Sequence, residues 1–138
     1  MNLLIIDDDT ISSYVNTRVA ETSGIFHGIQ SVYNGKEALD FFDQVCQGKA
    51  TAPDVVLLDL NMPVMNGFDF IEAFKGLSFP NKERLTIVIL TSSDNEVDIQ
   101  RARSMGIEHY LVKSLTAKDL QDTIFSLSNK KNINTLTH

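Results

Sequence analysis

The sequence predicts an α/β fold in which a parallel five-stranded sheet carries helices on both faces. Five short apolar runs alternate along the chain with five segments of helical periodicity, and no internal repeat is present. The length of 138 residues suits one domain, and the content of 43% hydrophobic and 22% charged residues is ordinary for a globular protein. Right-handed crossovers between parallel strands leave few topologies for such a sheet.

The first elements are a strand, a helix and a weaker strand. Residues 3–6 are uniformly apolar, which is typical of a strand buried on both faces. A helix is predicted over residues 10–23, and Gly24 ends it. Residues 29–33 form the weaker second strand. The apolar residues at helical spacing in the first helix are Ile11, Tyr14, Val15 and Val19.

The middle of the chain contributes two helices around the clearest strand, residues 55–58. Asn34 followed by Glu37 has the form of a capping box and opens the second helix. Cys46 falls on the apolar side of that helix, which predicts a core position for it. Residues 76–84 contain a proline and several polar residues and are predicted to be a loop. The third helix is marked by Phe68, Ile71 and Phe74.

The last third adds two strands and two helices. Residues 85–90 are rich in β-branched residues, and residues 110–112 form a short fifth strand. A helix capped by Ser93 and Glu96 is predicted to run to Met105 and to end at Gly106, and another is capped by Thr116 and Asp119. We expect one domain over residues 1–129 and a polar, frayed tail over residues 130–138.

Composition excludes several classes of protein. The formal net charge of −6 and the pI of about 4.9 disfavour binding to nucleic acid. No apolar run approaches the roughly 20 residues that a membrane helix needs, so we expect no membrane association. A single cysteine, Cys46, fits a reducing compartment and therefore a cytoplasmic location.

Polar residues with matching chemistry follow four of the five predicted strands. In a parallel α/β sheet the reactive site lies beyond the carboxyl ends of the strands, so these residues are expected to converge. Crowded carboxylates repel one another, and either proton uptake or a bound cation relieves that repulsion. The residues at the strand ends are Asp7, Asp8, Asp9, Asp59, Asn61, Thr91, Ser92 and Lys113.

This set of residues suits phosphoryl transfer to a carboxylate. Carboxylate and carbonyl oxygens favour Mg²⁺, which also accepts phosphate oxygens as ligands. A carboxylate can attack phosphorus to form an aspartyl phosphate, and that chemistry requires mainly positioning and charge neutralisation. Lys113 can supply positive charge to the transferred group, and Thr91 can donate a hydrogen bond to it. For Asp9 alone, capping of the next helix is the favoured interpretation.

The sequence resembles the receiver domain of two-component response regulators from about residue 2 to residue 128. The resemblance implies a flavodoxin-like sheet of order 2-1-3-4-5 and Mg²⁺-dependent phosphorylation of an aspartate by a phosphohistidine. It also implies a sensor histidine kinase or a histidine phosphotransfer protein as the phosphodonor. The motifs that carry the resemblance are residues 5–9, residues 55–63, Asn66-Gly67, Thr91-Ser92-Ser93 and residues 110–113.

By position, the resemblance implies that Asp59 is the phosphoacceptor. It further implies that Asp8 is a direct metal ligand, that Asp7 binds the metal through water, and that Asn61 contributes its backbone carbonyl. Asp59 completes this ligand set.

The resemblance also implies a conformational switch formed by Thr91 and Tyr110, with Lys113 contacting the phosphoryl group. The family usually has a proline after this lysine, and Ser114 occupies that position here. Since a cis bond before a non-proline residue costs about 2.5–4 kcal/mol, we expect the Lys113–Ser114 bond to be trans.

Two other functions are compatible with parts of this pattern. An aspartate-nucleophile phosphohydrolase shares the sheet and the aspartyl phosphate, but such enzymes often carry an acid two residues after the nucleophile, where Asn61 stands here. An interaction module with an inert acidic site is disfavoured, because the whole set of strand-end residues is intact: Asp7, Asp8, Asp59, Thr91 and Lys113. We therefore expect a phosphoacceptor signalling domain that catalyses only its own phosphorylation and dephosphorylation.

The expected output is a protein-binding surface, because no DNA-reading motif or effector follows the last helix. The face formed by the fourth helix, the fifth strand and the fifth helix contains Tyr110 and is predicted to bind a downstream protein or a second copy of the chain. Arg101, Glu108, Lys118 and Gln121 could line that face.

Overall fold

Five strands form one parallel sheet in the computed structural model, which describes residues 1–60, 65–92 and 96–136, with side chains as far as residue 127. The strands are β1 (Asn2–Ile6), β2 (Gly28–Val32), β3 (Val55–Asp59), β4 (Thr86–Thr91) and β5 (His109–Val112). Their order is β2-β1-β3-β4-β5, and every neighbouring pair is parallel. The predicted flavodoxin-like fold is confirmed.

In the described ranges, five α-helices connect or follow these strands. They are α1 (Thr10–Ser23), α2 (Gly35–Cys46), α3 (Gly67–Lys75), α4 (Glu96–Ser104) and α5 (Ala117–Leu136). Asn34 accepts a hydrogen bond from the Glu37 N–H at 2.7 Å, as predicted for the start of α2. Thr116 likewise accepts from the Asp119 N–H at 3.1 Å. The predicted cap at Ser93 lies outside the described residues.

Alternate residues of the central strands face two separate hydrophobic layers. In β1, Leu3 and Ile5 contribute to the layer shared with α1 and α5, whereas Leu4 and Ile6 contribute to the layer shared with α2 and α3. The second layer is centred on Phe42, whose ring lies 5.1 Å from that of Phe74. Burial on both faces explains why these strands appear in the sequence as continuous apolar runs.

Helix α1 is turned so that its small and polar residues face the protein. Ile11, Tyr14 and Val15 are 75%, 66% and 49% exposed, although their spacing alone favours a buried stripe. The residues that α1 buries are Ser13, Asn16, Ala20 and Ser23. A helix that buries polar groups must satisfy their hydrogen bonds inside the protein, so the setting of α1 depends on specific polar contacts.

Three local predictions need correction or refinement. Cys46 is exposed, so its predicted core position is wrong: the buried side of α2 runs through Ala38, Phe42 and Val45, and Cys46 lies at the edge of that side. Lys82–Arg84 form a turn of 3₁₀ helix within the predicted loop, and the Lys82 ammonium group donates to carbonyl oxygens at the end of α3. The backbone of α5 is helical to Leu136, which includes most of the expected tail. Within the described part of the chain, no helix is long and apolar enough to span a membrane.

Candidate functional site

The carboxyl ends of β1 and β3 bring three carboxylates together. Ile6 pairs with Leu58 in the parallel register of these strands, so Asp7 and Asp59 are the next residues on adjacent strands. Neighbouring strands lie about 4.8 Å apart, which places the two side chains side by side. One carboxylate oxygen from each of Asp7, Asp8 and Asp59 lies within 4.8 Å of the other two.

Asp7 is held by hydrogen bonds from three groups at the start of the first helix. Its side chain is 1% exposed. Oδ1 accepts the N–H of Asp9 at 3.0 Å, and Oδ2 accepts the hydroxyl of Ser12 at 2.7 Å. The amide nitrogen of Asn16 lies 3.5 Å from the same Oδ2 atom. Ser12 and Asn16 were not predicted as site residues; the sequence signal for them is their spacing of four, which places both on one side of the helix that follows the three aspartates.

The three consecutive aspartates have different surroundings. Asp9 is exposed and caps α1, accepting the N–H groups of Ile11 and Ser12 at 2.9 and 3.3 Å, in agreement with its predicted capping role. Asp8 is partly exposed and contributes an oxygen to the carboxylate cluster. Asp7 and Asp8 therefore provide the two first-strand carboxylates of the cluster, and Asp9 organises the helix behind them.

Lys113 brings an ammonium group to the same edge from the end of β5. Its backbone N–H donates to the Thr91 carbonyl at 2.8 Å, which extends the pairing of β4 and β5 by one residue. Its Nζ atom lies 3.3 Å from Oδ1 of Asp59, a carboxylate with a side chain only 6% exposed. The Lys113 side chain is 37% exposed, so solvent screens part of this ion pair.

The two residues predicted to form the switch differ in exposure. Thr91, the last residue of β4, is fully buried, and its hydroxyl donates to the Ser92 carbonyl over a long 3.5 Å. Tyr110 is 39% exposed on β5, and the Arg103 guanidinium lies 5.7 Å from the centre of its ring. The tyrosine ring therefore lies at the surface, within cation–π distance of α4.

The peptide bond between Lys113 and Ser114 is cis, so the expectation of a trans bond is wrong. That expectation used the average preference of non-proline peptide bonds for the trans isomer. The preference belongs to the isolated peptide bond, and the tertiary contacts of the folded chain decide which isomer is present.

Gly67, the first residue of α3, lies close to the end of β3. Asn61, predicted to offer a backbone carbonyl to a metal, lies outside the described residues. Gly67 donates its N–H to the Leu60 carbonyl at 3.1 Å. A Cβ atom at Gly67 would lie 2.8 Å from the Leu60 Cα atom and 3.1 Å from the Asp59 carbonyl oxygen. Only glycine fits here without a shift of backbone, so α3 can begin directly beside the acidic cluster.

The donor set at this edge suits a hard divalent cation. The cluster consists of carboxylates only, and Asp8 is partly open to solvent while Asp7 and Asp59 are buried. Formally three carboxylates face one ammonium group, so negative charge predominates. Mg²⁺ prefers oxygen ligands and retains several waters, which a partly open carboxylate cluster permits.

The chain is similar in sequence to known proteins over most of its length. The family model of the response regulator receiver domain matches residues 3–125. The chain is 34% identical over 122 residues to two-component response regulator ORR1 of Oryza sativa, covering 86% of this chain but only 52% of that protein. Thus the chain spans about half the length of this relative.

Solved structures agree with the family model. A two-component response regulator from Cytophaga hutchinsonii has a TM-score of 0.79 and 29% identity, with coverage of 93% of this chain and 96% of that one. The Mn²⁺-bound form of response regulator Rcp1 has a TM-score of 0.69 and 30% identity, with coverage of 89% and 88%. From residue 3 to residue 125, therefore, this chain belongs to the response regulator receiver domain family.

Proposed function

We propose that the chain accepts a phosphoryl group on Asp59 from a phosphohistidine of a sensor kinase or phosphotransfer protein. The observation that carries this proposal is the position of Asp59, whose carboxylate is buried between two further carboxylates and the Lys113 ammonium group. The chain phosphorylated at Asp59 would act as a signal in a phosphorelay, consistent with the response regulators that the chain resembles.

Mg²⁺ is the proposed cofactor. Asp8 and Asp59 would bind it directly, Asp7 through water, and Asn61 through its backbone carbonyl. When bound, the ion would offset the charge of the carboxylates and of the incoming phosphoryl group. The Mn²⁺-bound form of Rcp1 supports a divalent cation in a protein of this fold.

The residues of the chain then have distinct roles in the transfer. A carboxylate oxygen of Asp59 attacks phosphorus, an O–P bond forms, and the P–N bond to the donor imidazole breaks. The Lys113 ammonium group, 3.3 Å from Asp59, is close enough to contact an oxygen of the transferred group. When Asp7 and Asp8 are ionised, their carboxylates can accept hydrogen bonds but cannot donate them. They would therefore bind the cation and not the phosphoryl oxygens.

Thr91 and Tyr110 are proposed to link phosphorylation to the surface. The Thr91 hydroxyl, which now donates to Ser92 over 3.5 Å, would turn to the phosphoryl group. That turn would vacate space for the Tyr110 ring, which is now partly exposed beside Arg103. A handful of new hydrogen bonds to the phosphoryl group would then shift the balance between the two positions.

Uptake of one phosphoryl group per chain tests this function. The chain with Mg²⁺ and acetyl phosphate or phosphoramidate is expected to gain the mass of one phosphoryl group, and EDTA is expected to prevent the gain. No gain under any of these conditions would instead favour the inert interaction module. Rapid turnover of a broad range of phosphate esters would favour the phosphohydrolase.

The output surface is proposed on α4, β5 and α5. Val97, Tyr110 and Val112 are exposed there, at 82%, 39% and 38%. Asp122, Thr123 and Ser126 of α5 line a groove together with Tyr110. Arg101, which was predicted to line this face, has its guanidinium 4.1 Å from the centre of the Phe68 ring, so it also attaches α4 to α3. Reversing the charge of Arg101 would disturb α4 itself, and Lys118 and Tyr110 are therefore better probes of binding.

A pair of matched substitutions distinguishes the surface that binds the target from the surface that binds the phosphodonor protein. Tyr110→Ser and Tyr14→Ser each remove the same aromatic ring, 39% exposed on β5 and 66% exposed on α1. Tyr110→Ser is expected to weaken phosphorylation-dependent self-association or target binding at least about tenfold, with uptake from acetyl phosphate unchanged. Tyr14 lies on α1 just after the acidic cluster, so Tyr14→Ser is expected to slow transfer from a protein donor only. Sedimentation and transfer rates provide the measurements, and equal effects of both variants on binding would refute this assignment of the surface.

A further inference from the structure

The buried polar face of α1 points to a function that the phosphoryl-transfer residues do not account for. Asn16 is 5% exposed and Ser12 is partly exposed, and both side chains are directed at one oxygen of Asp7. A buried polar side chain is costly unless it is hydrogen-bonded. An apolar residue at either position would contact the core at lower cost, as Ala20 does on the same face. The polar residues therefore serve Asp7 and not the stability of the helix alone.

The two oxygens of Asp7 are occupied unequally. An ionised carboxylate offers about four lone-pair positions, two on each oxygen. Oδ2 receives Ser12 at 2.7 Å and Asn16 at 3.5 Å, while Oδ1 receives the Asp9 N–H at 3.0 Å. On this count Oδ2 is filled by donors from α1, and Oδ1 retains one lone-pair position.

We propose that Ser12, assisted by Asn16, is a positioning residue that fixes the Asp7 carboxylate so that Oδ1 faces the cation site. The proposal rests on the proposed function, since it assumes that the acidic cluster binds Mg²⁺. Ser12 donates one short hydrogen bond to a buried charged group and thereby selects one orientation of the carboxylate. Groups that orient metal ligands typically contribute 10- to 100-fold to metal affinity.

Mg²⁺ affinity measured without any phosphodonor is the first readout. In isothermal titration calorimetry with MgCl₂, Ser12→Ala is expected to raise the dissociation constant about tenfold. Ser12→Thr keeps the hydroxyl and is expected to restore the natural value. Ser104→Ala is the matched control, because the Ser104 hydroxyl also donates to a single acceptor, the Arg101 carbonyl at 2.6 Å, on a distant helix.

A second readout distinguishes positioning from a purely structural role. The phosphorylation rate of Ser12→Ala with acetyl phosphate is expected to approach that of the natural chain as Mg²⁺ reaches saturation. A structural role would lower the unfolding temperature in EDTA and leave the Mg²⁺ dissociation constant unchanged. Should Ser12→Ala fail to fold, Ser12→Cys retains nearly the same volume with a weak S–H donor and is expected to show the same loss of affinity.

The outcomes also separate this inference from the proposed function. A natural chain that binds no Mg²⁺ and takes up no phosphoryl group overturns both. A natural chain that does both, together with a folded Ser12→Ala or Ser12→Cys variant whose Mg²⁺ dissociation constant is within twofold of the natural one, overturns only the role of Ser12.

Discussion

Asp59→Asn is expected to abolish phosphoryl uptake completely while the chain remains folded. The amide that replaces the carboxylate has no nucleophilic oxygen of comparable strength, and the acceptor bond to phosphorus cannot form. The substitution also removes one of three crowded carboxylates, which lowers their mutual repulsion as it weakens the ion pair with Lys113. Intact-mass spectrometry with acetyl phosphate and Mg²⁺ measures the uptake, and circular dichroism checks the fold.

Asp9→Asn is the matched control for that substitution. It makes the same chemical change two residues after Asp7, in a side chain that caps α1, and asparagine caps a helix about as well as aspartate. This variant is expected to take up one phosphoryl group as the natural chain does. Peptide mapping that finds the phosphoryl group on Asp7 or Asp8, or uptake by Asp59→Asn, would contradict the assignment of the acceptor.

Asp8→Ala is expected to lower the phosphorylation rate at limiting Mg²⁺ by roughly a hundredfold or more, beyond the usual effect of losing a group that merely orients a ligand. Asp8 is the partly exposed carboxylate of the cluster, so its removal deletes a ligand and disturbs little packing. The rate is measured over a range of Mg²⁺ concentrations. Raising Mg²⁺ is expected to recover part of the lost rate, since the weakened site is then refilled.

Asp40→Ala supplies the comparison for the change in net charge. Asp40 is exposed on α2, so the substitution removes one negative charge away from the cluster. Its Mg²⁺ dependence is expected to match that of the natural chain. An Asp8→Ala chain with unaltered Mg²⁺ dependence would exclude Asp8 as a ligand.

Much of the fold could be predicted because each type of element leaves a recognisable pattern of apolar residues in the sequence. Strands buried on both faces must be apolar throughout, so β1, β3 and β4 are visible as apolar runs. Parallel strands share one carboxyl edge, so Asp7, Asp59 and Lys113 could be expected to meet before any distance was known. The spacing between these motifs also sufficed to indicate the family.

Other features could not be predicted because they depend on how a helix is rotated against the sheet. The spacing of Ile11, Tyr14 and Val15 favours burial, yet these side chains are exposed and Asn16 is buried. Hydrophobic periodicity shows which apolar residues share one side of a helix. It does not show whether that side is buried in the protein's own core or is exposed to solvent or to a partner. The placement of Arg101 over Phe68 likewise depends on contacts between α4 and α3 that are distant in sequence.

The sequence by itself determined the order of strands and helices, the acidic edge of the sheet and the family, because each follows from local patterns and shared topology. The tertiary structure alone decided which atoms surround Asp7, the isomer of the Lys113–Ser114 bond and the exposure of Cys46. These depend on long-range contacts and on how each helix is rotated against the sheet. Local preferences of about one to a few kcal/mol are readily outweighed by such contacts, so no reading of the local sequence could settle them.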